Sequence, residues 1–244
     1  MCSSDLTKPS FLSSRIIKGY NATANSWPWV VMLTLDTGKT LCGGFLVTYQ
    51  HVVTAAHCLD GFQASSMLVF AGVQTFSART SSPTRGVSSF NIHPQYSKAS
   101  DVNDIAILKL NASFASSPTI GLCCLPSDAS LPTLGQAGVI VGWGLTDVNG
   151  VDPSDELQQG TVQVQPDSTT CSAANSSIQF CAGYSGTDVC NGDSGGPYMI
   201  SQNNAWTCAG VVSSGDAIAS CGKNSVFTRV SFYRSYIDKM ISTL

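Results

Sequence analysis

Short apolar stretches alternate with polar turns along most of the chain. Gly, Pro, Asn or Ser separates most of these stretches, and they do not alternate with helical patterns as in a parallel α/β protein. They comprise residues 29–35, 44–48, 52–54, 67–71 and 105–110, then 139–143, 161–165, 197–200, 206–213 and 225–230. Many short strands with frequent turn signals are typical of a barrel or a sandwich. The pattern therefore predicts an all-β protein.

Three segments depart from this pattern. Near the end of the chain, apolar residues recur at intervals of three and four, which predicts a terminal helix; they are Phe232, Tyr233, Tyr236, Ile237, Met240 and Ile241. Residues 111–135, rich in Ser, Pro and Leu, indicate a connection between two halves. Residues 1–15 lack periodicity and end in Arg15 before the apolar Ile16. This segment is either a leader with a cleavage point or an ordinary N-terminal arm.

The composition excludes several classes of function. The chain has 244 residues, 43% apolar and 11% charged, with a net charge of −3. It can bury a large core, but it carries no basic patch for nucleic acid and no charged tail. No apolar run is long enough to span a bilayer.

The cysteines point to an oxidising compartment. Ten cysteines without a Cys-x-x-Cys pair favour disulfides over zinc or redox chemistry. Disulfides form in secreted proteins, so we expect an extracellular protein. The triplets beginning at Asn21, Asn111 and Asn175 are weak further support, as candidate glycosylation acceptors.

One stretch, Cys190-Asn191-Gly192-Asp193-Ser194-Gly195-Gly196-Pro197, has the composition of a nucleophile loop. Glycines beside a serine allow a sharp turn that brings backbone N–H groups close to a bound atom. The alternative for this stretch alone is a Gly-rich turn. Upstream, Thr54-Ala55-Ala56-His57-Cys58 supplies a histidine, and Asp104 precedes an apolar strand. Asp104 is therefore either a carboxylate drawn into the interior or a strand-start turn residue.

Taken together, these motifs resemble the trypsin/chymotrypsin family of serine endopeptidases in its zymogen form. The resemblance rests on Thr-Ala-Ala-His57-Cys, Asn-Asp104-Ile-Ala-Ile-Leu and Gly-Asp-Ser194-Gly-Gly-Pro, in the family's order His, Asp, Ser. It extends from Cys2 to the final helix and includes Cys42-Gly43-Gly44, Val141-Gly142-Trp143-Gly144 and Val226-Phe227-Thr228-Arg229-Val230.

The resemblance implies two six-stranded antiparallel β-barrels with a C-terminal α-helix. Residues 1–15 would be an activation peptide, and residues 16–244 the peptidase domain. We expect the first barrel at about 16–120, the second at about 125–230 and the helix at about 231–243. The site would lie in the cleft between the barrels.

The resemblance also implies a role for each site residue. Ser194 would attack the substrate, His57 would take its proton, and Asp104 would hold the imidazole. The N–H groups of Gly192 and Ser194 would form an oxyanion hole. Ser213 would support Asp104 through a hydrogen bond.

In the family, cleavage after a basic residue creates a new amine that pairs with the aspartate before the serine. Here Arg15 would be the cut residue, and Ile16 would pair with Asp193 to order the oxyanion hole and pocket. The alternative for Asp193 is a loop aspartate that accepts local N–H bonds.

The family pattern pairs eight of the cysteines, as Cys2–Cys124, Cys42–Cys58, Cys171–Cys181 and Cys190–Cys221. Cys123 and Cys208 remain, and the adjacent Cys123-Cys124 departs from the usual pattern. We expect a Cys123–Cys208 bond, because the family fold should bring these strands together and secreted chains usually pair an even number of cysteines. The alternative is two free buried thiols.

The pocket residues set the expected specificity. Asp188 stands where trypsins carry the carboxylate that binds Arg or Lys. A substrate guanidinium could donate two charge-assisted hydrogen bonds to this carboxylate. Val189 stands where trypsins often have a hydroxyl residue. Because the lysine ammonium would miss that hydroxyl more than the guanidinium would, we expect Arg to be preferred over Lys. The resemblance also assigns Ser213 and Gly215 to the substrate-binding wall.

Two departures from the family pattern leave a different specificity open. Ser214 replaces the usual tryptophan and removes an apolar wall for upstream substrate residues. Ser225 falls where a pocket glycine is usual, and its side chain can narrow the pocket or bond to Asp188. A chymotrypsin- or elastase-like enzyme therefore stays an alternative.

The sequence thus predicts a secreted serine endopeptidase that cuts after Arg and then Lys and is activated at Arg15-Ile16. We expect protein or peptide substrates, protein inhibitors as candidate partners, a monomer, and neither nucleic acid nor membrane. No cofactor or metal is expected, because residues 61–100 contain no Asp or Glu for a calcium site. The alternative of another class is a catalytically silent binding protein with a protease fold.

Overall fold

The computed structural model describes residues 14–146, 152–168, 171–184, 186–202, 204–214 and 224–244. Within these ranges the chain is mostly β-strand, with one α-helix. Predictions that concern Cys2, Gly215 and Cys221 lie outside the described residues.

An N-terminal strand, β1 (Ser14–Asn21), precedes a closed barrel of six antiparallel strands. These strands pair in the order β2-β3-β4-β7-β6-β5, and β5 closes the ring on β2. They are β2 (Val30–Leu35), β3 (Thr40–Thr48), β4 (His51–Thr54), β5 (Leu68–Ala71), β6 (Thr84–Ile92) and β7 (Ala106–Leu110). Fully buried side chains such as Leu33, Phe45 and Leu108 fill the interior.

The second half forms another antiparallel ring, in the order β8-β9-β10-β13-β12-β11, closed by pairing of β11 with β8. Its strands are β8 (Ala137–Gly142), β9 (Gln158–Gln165), β10 (Gln179–Gly183), β11 (Pro197–Gln202), β12 (Ala205–Ser214) and β13 (Ser225–Arg229). The predicted fold class, two six-stranded antiparallel barrels with a terminal helix, is confirmed.

Strand β1 lies at the edge of the second barrel's sheet, where it pairs with β9. The sequence prediction placed residues 16–120 in the first barrel, so the structure moves this strand to the other half. The physical reason is the burial of Ile16, which is 2% exposed and packs in an apolar cluster with Ile140 and Val162 of the second barrel. The first barrel itself begins at β2.

Contacts at several places join the barrels. The indole Nε1 of Trp29 lies 3.0 Å from the sulfur of Met199 on β11. A disulfide joins Cys123, in the connection between the barrels, to Cys208 on β12. The helix α1 (Arg234–Thr243) packs against β7 of the first barrel.

The chain surface carries the three glycosylation triplets, and Asn21, Asn111 and Asn175 are all exposed. Among the described residues, no helix is long and apolar enough to cross a membrane.

His51 is a buried titratable group of the first barrel, remote in sequence from the nucleophile loop. Its side chain is buried, and Nδ1 lies 2.8 Å from the hydroxyl of Thr48. Burial, followed by the charge of Lys109 on the neighbouring strand β7, lowers the pKa of His51 below 6.5. The unfolded chain therefore binds a proton at a pH where the folded chain does not.

We predict that acid weakens the fold partly through His51. Because its folded-state pKa lies below the unfolded value, its contribution to the unfolding free energy is lost as the pH falls below 6.5. Between pH 7.5 and pH 5.5, wild type should lose up to about 1 kcal/mol more than His51→Gln. Urea unfolding of both proteins at the two pH values measures this difference, and equal losses would contradict the prediction.

Candidate active site

Three buried carboxylates mark the site. Among the described residues, Asp104, Asp188 and Asp193 are the acidic side chains that lie in the interior, and none is more than 2% exposed. A buried carboxylate needs hydrogen-bond donors, because the protein must replace the water that it loses. The donors to these three residues therefore define the geometry of the cleft.

Strand pairing brings Asp104 and His57 together. In the antiparallel pair of β4 and β7, Thr54 lies opposite Ala106. His57 follows the end of β4 and Asp104 precedes the start of β7, so the two side chains meet at the same end of the barrel. His57 Nδ1 lies 2.7 Å from Asp104 Oδ2, and the backbone N–H of His57 donates to Asp104 Oδ1 at 2.9 Å.

The second barrel completes the surroundings of Asp104. The hydroxyl of Ser213, on β12, donates to Asp104 Oδ2 at 2.6 Å. The hydroxyl of Thr228, on β13, donates to the backbone carbonyl of Asp104 at 2.8 Å. Asp104 is therefore held by donors from both barrels, and its side chain is fully buried.

His57 combines a fixed orientation with access to solvent. The side chain of His57 is 30% exposed, whereas the side chain of Asp104 is fully buried. Burial lowers the pKa of His57, but the hydrogen bond to Asp104 and the negative charges of Asp104 and Asp101 outweigh this effect. The net pKa of His57 is raised above 6.5.

Ser194 lies next to the His57 segment. Cys58 Sγ is 3.6 Å from the carbonyl oxygen of Ser194 and 3.8 Å from His57 Nε2. The N–H of Gly43, on β3, donates to that same carbonyl at 2.7 Å. The disulfide between Cys42 and Cys58 fastens the histidine segment to β3.

Close approach of this loop to β4 requires glycine at position 195. Gly195 has a φ of +81°, and a Cβ there would lie 2.2 Å from the hydroxyl oxygen of Thr54. Its N–H donates to the carbonyl of Val212 at 2.9 Å. The residue after the serine is thus wedged between the two barrels, which fixes where Ser194 stands.

The loop before Ser194 presents two backbone donors. Gly192 has a φ of +99°, a conformation that glycine adopts readily. Within the described part of the chain, the N–H groups of Gly192 and Ser194 donate to no other residue. The next amide, that of Asp193, donates to the carbonyl of Cys190 at 3.0 Å and tightens the turn.

Asp193 points away from solvent into the second barrel. Its Oδ1 accepts the N–H of Gly144 at 2.8 Å, and its Oδ2 accepts that of Cys190 at 2.9 Å. Burial raises the pKa of Asp193 to about 6, although these hydrogen bonds act in the opposite direction. A Cβ at Gly142 or Gly144 would lie within 2.5 Å of the carboxylate. The sequence motif contained these glycines, but their role depends on this contact.

The predicted pocket residues that the structure describes all belong to the second half of the chain and are buried. Asp188 Oδ1 accepts the N–H of Val189 at 2.9 Å, and both residues are buried. Ser225 is 1% exposed and lies opposite Ala182 at the start of β13. Ser213 is buried on β12, whereas Gly215 lies outside the described residues.

Three of the expected disulfides are present, namely Cys42–Cys58, Cys171–Cys181 and Cys123–Cys208. Cys124 and Cys190 are also disulfide-bonded, and their expected partners Cys2 and Cys221 lie outside the described residues. Cys42, His57 and Cys58 cluster closely enough for a metal ion. Because the two sulfurs are bonded to each other, they offer no thiolate ligand.

The paired barrels and the Asp–His–Ser arrangement in their cleft define the class of two-barrel serine endopeptidases. Residues 16–237 match the trypsin family, and the chain belongs to that family. It is similar to chymotrypsin-C of Bos taurus, with 34% identity over 254 residues that cover 98% of this chain and 93% of that protein. Chymotrypsin-C of Rattus norvegicus is 34% identical over 257 residues, covering 98% of this chain and 95% of that protein.

We predict that His57 titrates above pH 6.5 and that Asp101 contributes to this rise. Asp101→Asn removes one of the two negative charges that favour the imidazolium, so the pKa of His57 should fall. NMR titration of the ring C–H signals measures this in wild type and variant. Asp128→Asn, which removes an exposed carboxylate bonded to Ser130, is the matched control. Identical His57 midpoints in Asp101→Asn and wild type would contradict the prediction.

Proposed function

We propose that this family member cleaves peptide bonds after Arg, and then Lys, through a Ser194–His57–Asp104 acyl-enzyme mechanism. The observation that carries the proposal is the set of three buried carboxylates, each at a position where the sequence predicts a different task. Asp104 would orient the base, Asp188 would bind the substrate side chain, and Asp193 would respond to activation.

The geometry of His57 and Asp104 supports the first chemical step. Ser194 Oγ attacks the scissile carbonyl carbon while its proton passes to His57 Nε2. The imidazolium that forms is stabilised by Asp104, which accepts from Nδ1. The N–H groups of Gly192 and Ser194 hold the oxyanion, and loss of one such donor typically costs about 3 kcal/mol of transition-state stabilisation.

The intermediate then collapses by breaking the carbon–nitrogen bond. The leaving amine takes the proton from His57, and the acyl group stays on Ser194. Water attacks this ester with His57 again as the base, which releases the carboxylic acid and restores the serine. Each step uses the same proton-transfer position at Nε2, so one fixed histidine serves both halves of the reaction.

Asp188 supports a preference for basic residues at P1, the substrate residue before the scissile bond. Its carboxylate is fully buried beside Val189, and a guanidinium can approach such a group through two hydrogen bonds. Gly215 and Ser213 would line the wall, and Ser225 would border the base. A lysine at P1 would bind less favourably than an arginine, because Val189 offers no hydroxyl to the lysine ammonium.

The chymotrypsin-like alternative has its own support. The two relatives are named chymotrypsin-C, and Ser225, which falls where a pocket glycine is expected, is buried. A serine that narrows the pocket or draws Asp188 aside would favour apolar or smaller P1 residues. A catalytically silent binding protein is the second alternative, and the intact set of His57, Asp104 and Ser194 argues against it.

The position of β1 supports the proposal that cleavage at Arg15-Ile16 activates the enzyme. Arg15 pairs with Gln159 at the edge of the second sheet, and the Ile16 side chain is already buried. A cut would convert the Ile16 nitrogen into an ammonium. Among the described residues, the N–H groups of Gly144 and Cys190 hold the Asp193 carboxylate, and the new ammonium would compensate this buried charge.

The disulfides and exposed triplets support secretion as a glycoprotein. We expect a monomer that acts on protein or peptide substrates and is open to protein inhibitors.

We predict that activity appears on cleavage at Arg15-Ile16. The value of kcat/KM on matched peptides with Arg, Lys, Phe or Ala at P1 should rise about 100-fold on cutting, because an unpaired Asp193 holds the oxyanion loop poorly. The activated enzyme should prefer Arg, then Lys.

Arg15→Gln, which blocks the cut, is the matched control for this experiment, and a serine-reactive phosphonate should label the cut chain but not Ser194→Ala. Equal activity of the cut and uncut chains would contradict the activation proposal. Absence of both labelling and turnover after a confirmed cut would favour the binding protein.

We predict that Asp188→Ser lowers kcat/KM for the Arg substrate at least about 30-fold, because the cationic side chain loses its buried partner. Turnover of the Phe substrate should fall less or rise. The same substitution at the exposed Asp128 should leave both values unchanged. An Arg preference that survives Asp188→Ser would show that another group binds P1.

A further inference from the structure

Asp104 lies at the centre of a very tight turn. The N–H of Ile105 donates to the carbonyl of Asn103 at 2.9 Å, so this hydrogen bond spans only the one residue between them. Asn103 has a φ of +58°, in the left-handed region. Asparagine tolerates this region better than most side chains do, but less readily than glycine. The turn that carries Asp104 therefore depends on further contacts to hold its shape.

The side chain of Asn103 makes such contacts with both of its polar atoms. Its Nδ2 donates to the carbonyl of Gln95 at 2.8 Å. Its Oδ1 accepts the hydroxyl of Tyr233 at 2.7 Å. One bond comes from the segment before the turn and the other from the C-terminal end of the chain. The amide is thus fixed between two parts of the fold.

Tyr233 is itself held in a defined position. It directly precedes α1, where its N–H donates to the carbonyl of Val230 at 3.1 Å and its carbonyl accepts the N–H of Ile237 at 2.9 Å. The residue is 2% exposed, and its ring meets the ring of His93 edge-on, with 5.3 Å between the centroids. Burial, followed by the charge of Asp104, raises the pKa of Tyr233. The hydroxyl therefore keeps its proton and acts as a donor.

The same C-terminal stretch also holds Asp104 directly. Thr228, on β13, donates to the backbone carbonyl of Asp104 at 2.8 Å. Tyr233, beyond the end of β13, bonds to the residue that precedes Asp104. The backbone of Asp104 is thus fixed on its carbonyl side and on its amino side by one continuous stretch of chain.

We propose that Tyr233 is a positioning residue for catalysis, whose hydroxyl fixes Asp104, and through it His57, by way of Asn103. This inference rests on the proposed function, because it takes Asp104 as the group that orients the base. Loss of the hydroxyl leaves Asn103 Oδ1 without this donor, which lets the turn relax and moves the carboxylate relative to His57. The start of the terminal helix then serves the reaction as well as the packing of the first barrel.

Tyr233→Phe tests this proposal, because it removes the hydroxyl and keeps the ring. In the cut enzyme, kcat on a peptide amide with the preferred P1 residue should fall about tenfold, since small displacements of a catalytic group cost much of the rate. KM should change less than about twofold, because lost transition-state stabilisation lowers kcat and kcat/KM equally. A serine-reactive phosphonate gives the concentration of active sites.

The pKa of His57 gives a second readout that a merely structural role would not move. Burial lowers this pKa, whereas the hydrogen bond to Asp104 and the nearby carboxylates raise it. A carboxylate that is held less firmly raises it less, so the pKa of His57 should fall toward 6.5 in Tyr233→Phe. NMR titration of the ring C–H signals and the acidic limb of kcat against pH measure this shift.

Tyr236→Phe is the matched control. Tyr236 lies on the same helix, and its ring also contacts that of His93, with 4.8 Å between the centroids. Its hydroxyl donates to the carbonyl of Asn91, on β6, at 2.9 Å. Both variants lose one hydroxyl bond and should lower the midpoint of urea unfolding by similar amounts. Only Tyr233→Phe should change kcat and the pKa of His57.

Asn103→Gly tests the route through the amide, because glycine keeps the positive φ and removes the acceptor. Alone, it should lower kcat and the pKa of His57 at least as much as Tyr233→Phe does, which also serves if Tyr233→Phe folds poorly. Adding Tyr233→Phe to Asn103→Gly should lower kcat less than about twofold further, because the two residues act as one unit. A full additional loss would show that the hydroxyl acts elsewhere.

Unchanged kcat in Tyr233→Phe, or an equal loss in Tyr236→Phe, would overturn the proposal. A lower kcat with an unchanged pKa of His57 would also overturn it, since Asp104 would then have kept its place. Failure of the proposed function looks different. In that case cut wild type would neither react with the phosphonate nor turn over any of the peptides.

Discussion

The carboxylate of Asp104 has no contact with water, and the hydrogen bonds that replace water come from both barrels. His57 supplies two donors from the first barrel, and Ser213 supplies one from the second. A single buried charge therefore requires the barrels to stand in one relative position. Any shift between them would leave a lone pair unsatisfied, at a cost of about 1–3 kcal/mol. The orientation of the histidine is thus tied to the assembly of the whole fold.

The same tight packing explains the glycines of the site. Gly195 stands where a Cβ would collide with Thr54, and Gly142 and Gly144 stand where one would collide with Asp193. At Gly43, a Cβ would lie 3.0 Å from the backbone of Gly196. These positions lack side chains because backbones or buried carboxylates occupy the space. The glycines in the family motifs are therefore required by close contacts between segments that are distant in sequence.

Most strands could be predicted because their buried residues form short apolar runs in the sequence. Three strands were missed, because the burial of each one does not show as a clear apolar run in the sequence. In β6 only Val87 is buried, so the run Thr84–Ile92 looks polar. Strand β10 begins with the buried Gln179, whose amide serves Asp101 and whose oxygen accepts from Ala174. Strand β1 follows an aperiodic leader, and its assignment to the second barrel depends on a pairing with Gln159 that no local pattern encodes.

The site residues also divide into those with a local sequence signal and those without one. His57, Asp104 and Ser194 could be found because each stands in a short motif, and strand pairing then brings them together. The same applies to Asp188 and Asp193, which both precede the serine closely in sequence. Asp101 stands in no such motif, since its environment arises from Ser214 and Gln179 in the other barrel. A role that depends on such contacts has no signal in the local sequence.

The distribution of charge imposes opposite demands on the two sides of the proposed reaction. Positive charge develops on His57, where Asp104 and Asp101 favour it. Negative charge would develop at the amides of Gly192 and Ser194, immediately beside the buried carboxylate of Asp193. An uncompensated anion at that position would oppose the oxyanion, because a low-dielectric interior screens like charges weakly. Under the proposed activation, the Ile16 ammonium would neutralise Asp193 without entering the cleft. The cut at the edge strand β1 would then act by removing a local repulsion as well as by fixing the shape of the loop.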